Sequence, residues 1–389
     1  MCQEGLSVWR TYSDGGIAMI GFRVDANETI ATGHLMRCMA IAKGFRNKGE
    51  EVIFFIAEEK ETQRLIDQDM PYVILHSDWR KLEQELPGFK QVLKQYHVTK
   101  LIVDSYQATR YYLESLNQDV QTIYMDDMGT EINPIAGVIH YSNRAWDTSY
   151  EKGYENLDTV CMAGMQYTPL REEFYPNKDD PNEENANKTD QEKNILITTG
   201  GTDPYNIAGR LLEYVKTQME CQSDMETDME KLCYHAHFLV ISGSMNQNKP
   251  FLEKLAKENH WITLYENVNN MGNLMRDSDL AVSAGGTTLY ELCACKVPTV
   301  CFSFADNQAG FTKEMGKQGM MCDAGDARGQ GNICGAKDVR EQGDIIKNIY
   351  QQLMKLWNDE RLCGRYREKM GQIVDGKGVE RIVEKIRVM

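Results

Sequence analysis

Residues 20–38, IGFRVDANETIATGHLMRC, decide the first part of the fold, because they pass from a β-rich run through a polar loop into a helical pattern. The same alternation continues to residue 142. The later β-rich runs are EVIFFIA (51–57), PYVILH (71–76), KLIVD (100–104), QTIYMDD (121–127) and GVIHYS (137–142). Such an alternation predicts βαβ units on a parallel sheet.

A polar segment separates this pattern from a second one. Residues 175–193, YPNKDDPNEENANKTDQEK, contain no Val, Ile, Leu or Met, which is typical of a linker or an exposed insertion. The β-rich runs then resume with NILITTGG (194–201), HFLVISG (237–243), WITLYENV (261–268), DLAVSAGG (279–286) and PTVCFSF (298–304).

We therefore predict two Rossmann-like α/β domains that face each other across a cleft. The domains are predicted at 1–174 and 194–389, with 175–193 between them, a helical end over 340–388, and surface insertions at 217–231 and 323–337. In open parallel sheets, ligands bind at the carboxyl ends of the strands, so functional residues are expected in the loops that follow strands.

Composition excludes several classes of protein. The chain has 389 residues, 42% of them hydrophobic, and a formal net charge of −15, which disfavours a nucleic-acid or anionic membrane surface. Its 11 cysteines form no C-x-x-C pair, so we expect reduced thiols rather than zinc or disulfides. The apolar runs are strand-sized and no signal peptide is evident, so we expect a soluble, cytoplasmic protein.

Ionisable residues cluster around the loop after the first predicted strand. Arg23 and Asp25 lie at the end of that strand and are candidate substrate-binding residues, as is Gly33, which provides backbone freedom at a tight turn. His34 and Arg37 share one helix face. A helix N-terminus disfavours a second proton on imidazole, so His34 is a candidate general base and Arg37 a candidate anion ligand. A capping histidine beside a solvated arginine is the alternative.

A glycine-rich turn in the second domain is typical of a site for a nucleotide diphosphate. In DLAVSAGGTTLYEL (279–292), Gly285 and Gly286 let the backbone approach a ligand just before a predicted helix N-terminus. Glu291 has two interpretations. It either accepts from ribose hydroxyls or pairs with Thr288 in a T-x-x-E capping box, which the local sequence favours.

A similar turn follows the first strand of the second domain. Asp203 is predicted as a helix N-cap with Pro204 at the first helical position. These roles leave Gly200, Gly201 and Thr202 to line the floor of the predicted cleft.

Polar residues also follow three other strands. They are Asp104, Ser105 and Tyr106, then Asp126 and Asp127, and finally Asn307 and Gln308. Asp126 and Asp127 could bind a metal, but without a further ligand nearby in sequence we expect none, and Asp127 as a loop cap is the alternative. Asn307 and Gln308 are either turn residues or amide donors for a sugar.

The ordered series of motifs resembles a known family. The motifs are FRVDANETIATGHLMRC, IVDSY, MDD, GMQYTPLREEFY, TTGGTDPYN and SAGGTTLYEL, followed by DNQ. In this order they resemble the nucleotide-sugar hydrolases of the pseudaminic acid pathway. These are grouped with spore coat polysaccharide biosynthesis proteins and are related in fold to the two-domain GT-B glycosyltransferases.

The resemblance implies metal-independent hydrolysis of UDP-2,4-diacetamido-2,4,6-trideoxy-β-L-altropyranose with inversion, without a cofactor. It implies that His34 activates water, that Tyr106 and Asn307 contact sugar or water, and that UDP is held by Gly285, Gly286, Thr287, Thr288 and Glu291. The expected partners are this small molecule and other enzymes of the same sugar pathway. Three alternatives stay open, namely hydrolysis of a related UDP- or CMP-sugar, a GT-B glycosyltransferase, and a non-catalytic binding protein.

Overall fold

The structure of the chain is a computed structural model. The structure describes residues 18–27, 33–60, 62–141, 149–176, 193–220, 235–243, 245–266, 268, 270–329 and 344–389, without the side chain of Asn307. Nearly all of the predicted linker and most of both predicted insertions lie outside these ranges. Within them, no helix combines the length and the apolar character needed to cross a bilayer.

The first unit is built on a seven-stranded parallel sheet with the order β3-β2-β1-β4-β5-β6-β7. Its strands are β1 (Met19–Val24), β2 (Glu51–Ile56), β3 (Tyr72–Ile74), β4 (Val98–Asp104), β5 (Gln121–Met125), β6 (Gly137–His140) and β7 (Val160–Ala163). Every residue of β1 is buried, because β1 lies between β2 and β4 and helices cover parallel sheets on both faces.

The described part of this unit contains five helices before the linker. They are α1 (Gly33–Asn47), α2 (Thr62–Asp67), α3 (Leu82–Gln95), α4 (Arg110–Asn117) and α5 (Ser149–Lys152), and two 3₁₀ turns follow at Met165–Tyr167 and Glu172–Phe174. Strand β7 and both turns were not predicted from the sequence.

The second unit has a six-stranded parallel sheet with the order β10-β9-β8-β11-β12-β13. The strands are β8 (Lys193–Thr198), β9 (Ala236–Ile241), β10 (Ile262–Tyr265), β11 (Leu280–Ala284), β12 (Thr299–Ser303) and β13 (Cys322–Asp326). The prediction that an insertion begins at residue 323 is therefore wrong. Among the described strands, β13 pairs only with β12, at the sheet edge, where a sequence as polar as CDAGD is tolerated.

The helices of this unit surround its sheet and bury their apolar faces. They are α6 (Ile207–Glu220), α7 (Lys249–Glu258), α8 (Met271–Arg276), α9 (Thr288–Ala294), α10 (Asp306–Lys317), α11 (Ile345–Asn358) and α12 (Glu360–Ile373). The prediction of two α/β domains with parallel, Rossmann-like sheets is confirmed.

The last helix, α13 (Gly378–Arg387), belongs to the first unit. That unit comprises Met1–Glu172 and Gly376–Met389, and the second comprises Glu173–Asp375. Helix α13 packs on α1, where a Cβ at Gly44 would lie 2.5 Å from Val379 Cγ1. The structure therefore divides the chain differently from the predicted domain at 194–389, because local periodicity does not tell which sheet an amphipathic helix covers.

Candidate functional site

The carboxyl edge of the first sheet brings four predicted site residues together. Strand β1 pairs with β4 so that Val24 lies beside Asp104, at the ends of both strands. Helix α1 begins at Gly33 and carries His34 and Arg37 in its first two turns. Tyr106 follows β4 by two residues. These side chains form one hydrogen-bonded group, which we call the His34 cluster and which also includes Asp127 and Tyr141.

His34 is oriented by Asp104. Its Nδ1 lies 2.5 Å from Asp104 Oδ1 and 3.0 Å from Arg37 Nη2. A guanidinium nitrogen has no lone pair to accept with, and an ionised carboxylate has only lone pairs, so the shorter approach assigns the proton of neutral His34 to Nδ1. All hydrogen bonds described for this imidazole involve Nδ1, so its basic nitrogen is Nε2.

Arg37 holds Asp104 in its ionised form. Its Nε donates to Asp104 Oδ2 at 2.6 Å and its Nη2 donates to Oδ1 at 2.5 Å. Burial alone would raise the pKa of Asp104, but the charge of Arg37 and hydrogen bonds from Arg37 and His34 outweigh it and hold that pKa well below its usual range. Asp104 therefore remains an acceptor for His34 at neutral pH.

Two residues that the sequence analysis did not assign to the site complete these contacts. Tyr141 directly follows β6 and is buried. Its hydroxyl accepts a hydrogen bond from Arg37 Nη1 at 2.6 Å. Cys38 is also buried, as expected for a core residue, but its thiol donates to Asp104 Oδ2 at 3.4 Å. Cys38 lies four residues after His34, so helical spacing was the available signal that they share a face.

Tyr106 forms the exposed wall of the cluster. Tyr106 is 57% exposed, and its ring makes a T-shaped contact with the His34 ring, with centroids 4.7 Å apart. Its hydroxyl donates to Asp127 Oδ2 at 3.2 Å. Burial, with the charge of Asp127, raises the pKa of Tyr106 to about 12, so its phenol stays protonated at neutral pH.

Arg23 and Asp25 lie in a different, fully buried network. Arg23 Nε donates to Glu85 Oε1 at 2.7 Å, and its Nη1 donates to Asp25 Oδ2 at 2.6 Å. Asp25 Oδ1 accepts from the backbone N–H of Ala57 at 2.8 Å. Because the Arg23 side chain is 0% exposed, we reassign these two residues from substrate binding to the support of the sheet edge.

The side chains of the neighbouring residues Asp126 and Asp127 have different partners. Asp126 is buried and accepts from the backbone of Gly129 and the hydroxyl of Tyr150. Asp127 instead pairs with Arg37 Nη1, 2.8 Å from its Oδ2. Asp127 is thus an ion-pair partner of the His34 cluster, which the sequence analysis offered only as a metal ligand or a loop cap.

In the second unit, the adjacent glycines Gly285 and Gly286 follow β11, and the space around their Cα atoms differs. A Cβ on Gly285 would lie 2.6 Å from Thr312 Cγ2, so helix α10 requires a glycine there. A Cβ on Gly286 would meet nothing within 4 Å. The fold explains Gly285, whereas the open space beside Gly286 is available to a ligand.

Helix α9 begins without the predicted capping box. Thr288 is its first residue, and the N-cap is Thr287, whose side chain makes no capping hydrogen bond. Thr287 is exposed and Thr288 is half-buried. Thr288 is therefore not the cap that the T-x-x-E interpretation of Glu291 requires.

The turn after β8 is fixed by Asp203. Its carboxylate accepts from the backbone N–H groups of Ile207 and Ala208 at 2.8 and 3.1 Å, so it caps α6. The helix begins at Ile207, so the prediction of Pro204 as its first residue is wrong. The three residues assigned to the cleft floor are exposed in this turn, namely Gly200, Gly201 and Thr202.

The last two candidates, Asn307 and Gln308, lie in the first turn of α10, which follows β12. Gln308 Oε1 accepts from the backbone N–H of Phe304 at 3.0 Å, which is the turn role offered for it. Asn307 lies in α10, and its side chain is outside the described structure.

Comparisons with known sequences extend over both units. Residues 187–323 match the glycosyltransferase family 28 C-terminal domain. UDP-2,4-diacetamido-2,4,6-trideoxy-beta-L-altropyranose hydrolase of Campylobacter jejuni is 22% identical over 302 residues, which cover 77% of this chain and 96% of that protein. Spore coat polysaccharide biosynthesis protein SpsG of Bacillus subtilis is 22% identical over 314 residues, 79% of this chain and 83% of that protein.

An uncharacterised protein of Methanocaldococcus jannaschii is 24% identical over 287 residues, 72% of this chain. The match covers 54% of that protein, so this chain spans about half of its length.

Solved structures share the fold. MurG of Acinetobacter baumannii superposes with a TM-score of 0.62 at 14% identity, over 95% of this chain and 100% of that one. UDP-GlcNAc 2-epimerase of Methanocaldococcus jannaschii gives a TM-score of 0.56 at 13% identity, over 95% of this chain and all of that one. The chain therefore shares the GT-B-like fold of these structures.

Proposed function

We propose that the protein is an enzyme that hydrolyses a UDP-sugar to free sugar and UDP, with His34 as the general base. The observation that carries this proposal is the Asp104–His34 pair, in which ionised Asp104 accepts a hydrogen bond from Nδ1–H and leaves Nε2 as the basic nitrogen. A neutral imidazole held in one tautomer by a buried carboxylate is suited to deprotonating water.

The reaction needs one proton transfer and one displacement. His34 Nε2 removes a proton from water as the water oxygen forms a bond to C1 of the sugar. The bond between C1 and the β-phosphate oxygen breaks, and UDP leaves with its electron pair. Because water attacks from the face opposite to UDP, the configuration at C1 is inverted. Holding a single water molecule in the correct orientation accounts for much of the expected rate enhancement, because the attack no longer depends on a random encounter. No metal is required in this scheme.

Arg37 has a different role in this proposal from the anion ligand expected from the sequence. Its Nε and Nη2 are bonded to Asp104, and its Nη1 to Asp127 and Tyr141. It therefore positions Asp104, and through it His34. We assign UDP to the turn of Gly286, Thr287 and Thr288 and the ribose to Glu291.

The substrate that we favour is UDP-2,4-diacetamido-2,4,6-trideoxy-β-L-altropyranose. The similarity to the Campylobacter jejuni hydrolase supports this choice, since it covers 96% of that protein. Its product would be the free diacetamido sugar for nonulosonic (pseudaminic) acid synthesis.

A glycosyltransferase is the second candidate, and the family 28 match over residues 187–323 favours it. In that reaction His34 Nε2 would deprotonate an acceptor hydroxyl instead of water. The two reactions differ only in the nucleophile.

UDP release from a panel of UDP-sugars without any acceptor tests the proposal. We expect stoichiometric UDP and free sugar from the diacetamido substrate, at a rate that added glycan or peptide acceptors do not change. Intact substrate after prolonged incubation at high enzyme concentration would refute hydrolysis. Release that depends on an acceptor would favour the transferase.

The two glycines after β11 provide a matched pair of variants. Gly285→Ala should destabilise the fold by about 1–3 kcal/mol, since its Cβ would overlap Thr312 Cγ2. Gly286→Ala should leave the melting temperature nearly unchanged and weaken UDP binding. Thermal unfolding and calorimetric titration with UDP separate these effects. Normal UDP affinity in Gly286→Ala would remove this turn from the proposed nucleotide site.

A further inference from the structure

The donors of Arg37 are committed to protein acceptors. Besides its two bonds to Asp104, its Nη1 lies 2.9 Å from Asp127 Oδ1 and 2.6 Å from the hydroxyl of Tyr141. Its side chain is only 11% exposed. A diphosphate could reach Arg37 only by displacing carboxylates that already pair with it.

The fixed charges around His34 therefore favour hydrogen-bond donors over anions. Arg37 contributes one positive charge, while its ion-pair partners Asp104 and Asp127 contribute two negative charges. With His34 neutral, these groups sum to one negative charge. The part of a substrate that meets them should be a neutral group that donates hydrogen bonds, because a phosphate would be repelled.

Asp127 is the member of this group with capacity to spare. A carboxylate offers about four lone-pair sites, and the described donors to Asp127 are Arg37 Nη1 and the Tyr106 hydroxyl. Its side chain is 18% exposed, in contrast to 1% for Asp104. A ligand can therefore reach Asp127 but not Asp104.

Tyr106 connects Asp127 to the proposed base. Its ring makes a T-shaped contact with His34 and its hydroxyl reaches Asp127, so a single phenol spans the distance between them. A sugar ring lying on this phenol with C1 towards His34 would bring a substituent of the adjacent carbon to Asp127. The exposed aromatic face suits the apolar face of a sugar.

We infer that Asp127 is a specificity-determining residue that accepts a hydrogen bond from an amide N–H or hydroxyl on the sugar carbon next to C1. This inference rests on the proposed UDP-sugar site. It deepens that proposal by naming the substituent that the first unit selects.

The experiment compares UDP-sugars that differ only at C2, with acetamido or hydroxyl in one and hydrogen in the other. Turnover is measured on the sugars, and affinity is measured on uncleavable analogues in which CH₂ replaces the anomeric oxygen. Because hydrogen bonds to charged groups contribute substantially, the wild type should prefer the C2-substituted ligand by about 10- to 100-fold. Asp127→Asn should lose most of this preference and keep its affinity for UDP alone.

Tyr141→Phe is the matched control. Tyr141 also accepts from Arg37 Nη1, but it is buried and cannot touch a sugar. This variant should keep the wild-type C2 preference even if its turnover falls. If both variants lost the C2 preference equally, Asp127 would act only through Arg37, and the inference would be wrong. If the wild type itself showed no C2 preference, the inference would also be wrong. A wild type that discriminates in affinity but releases no UDP would refute hydrolysis and leave the inference standing.

Discussion

Replacing His34 with alanine is expected to lower kcat for UDP release by about 10²- to 10⁴-fold, the range that a positioned general base contributes. The affinity for UDP should change little, because His34 and the proposed UDP turn are in different units of the fold. Its 7% exposure and its bond to Asp104 make His34 a partly structural residue as well. Melting temperature therefore has to be measured together with turnover.

Two further variants test whether loss of the general base causes the fall in kcat. Asp104→Asn replaces the carboxylate with a neutral amide whose N–H₂ can donate to Nδ1 and favour the other tautomer, so it should also lower kcat strongly while the imidazole stays in place. His260→Ala replaces an exposed histidine of the second unit and should leave kcat unchanged. Normal turnover in a folded His34→Ala protein would contradict the role given to His34.

Replacing Arg23 with methionine should destabilise the fold by about 3–5 kcal/mol, because it leaves buried carboxylates without their cation. Glu85 would lose two hydrogen bonds from the guanidinium and keep those from Ser77 and Tyr112. Asp25 would lose its bond to Nη1 at 2.6 Å. Denaturant unfolding measures the loss directly.

Arg46→Met is the comparison for this variant. Arg46 lies at the end of α1 and pairs with Asp69 at 3.6 Å, but both side chains are exposed by more than a third. Exposed pairs contribute about 0–1 kcal/mol, so this variant should unfold close to the wild type. If Arg23→Met were as stable as Arg46→Met, the buried network would not support the sheet edge.

The sequence predicted the sheets well wherever strands are central. Central parallel strands are buried on both faces, so runs such as IGFRV and KLIVD are strongly apolar and stand out. The edge strands β3 and β10 were also predicted, whereas β7 and β13 were missed, because the segments VCMA and CDAGD contain no long run of β-branched or aromatic residues. Their identity depends on the neighbouring strand more than on their own residues.

The sequence was sufficient to predict where the candidate site lies. His34, Arg37, Asp104 and Tyr106 were found because loops that follow parallel strands meet at one edge. The choice of partners was not predictable, since Arg37 pairs with carboxylates 67 and 90 residues away, and Arg23 with one 62 residues away. Such pairings depend on tertiary packing, which no local pattern records.

The position of α13 affects how the protein is made. Helix α1, which carries His34, packs on the last helix of the chain, and all of the second unit lies between them in sequence. During synthesis the first unit can form most of its sheet early, but one face of α1 stays uncovered until residues 376–389 leave the ribosome. The packing of the His34 helix is thus completed only after the whole second unit has been synthesised.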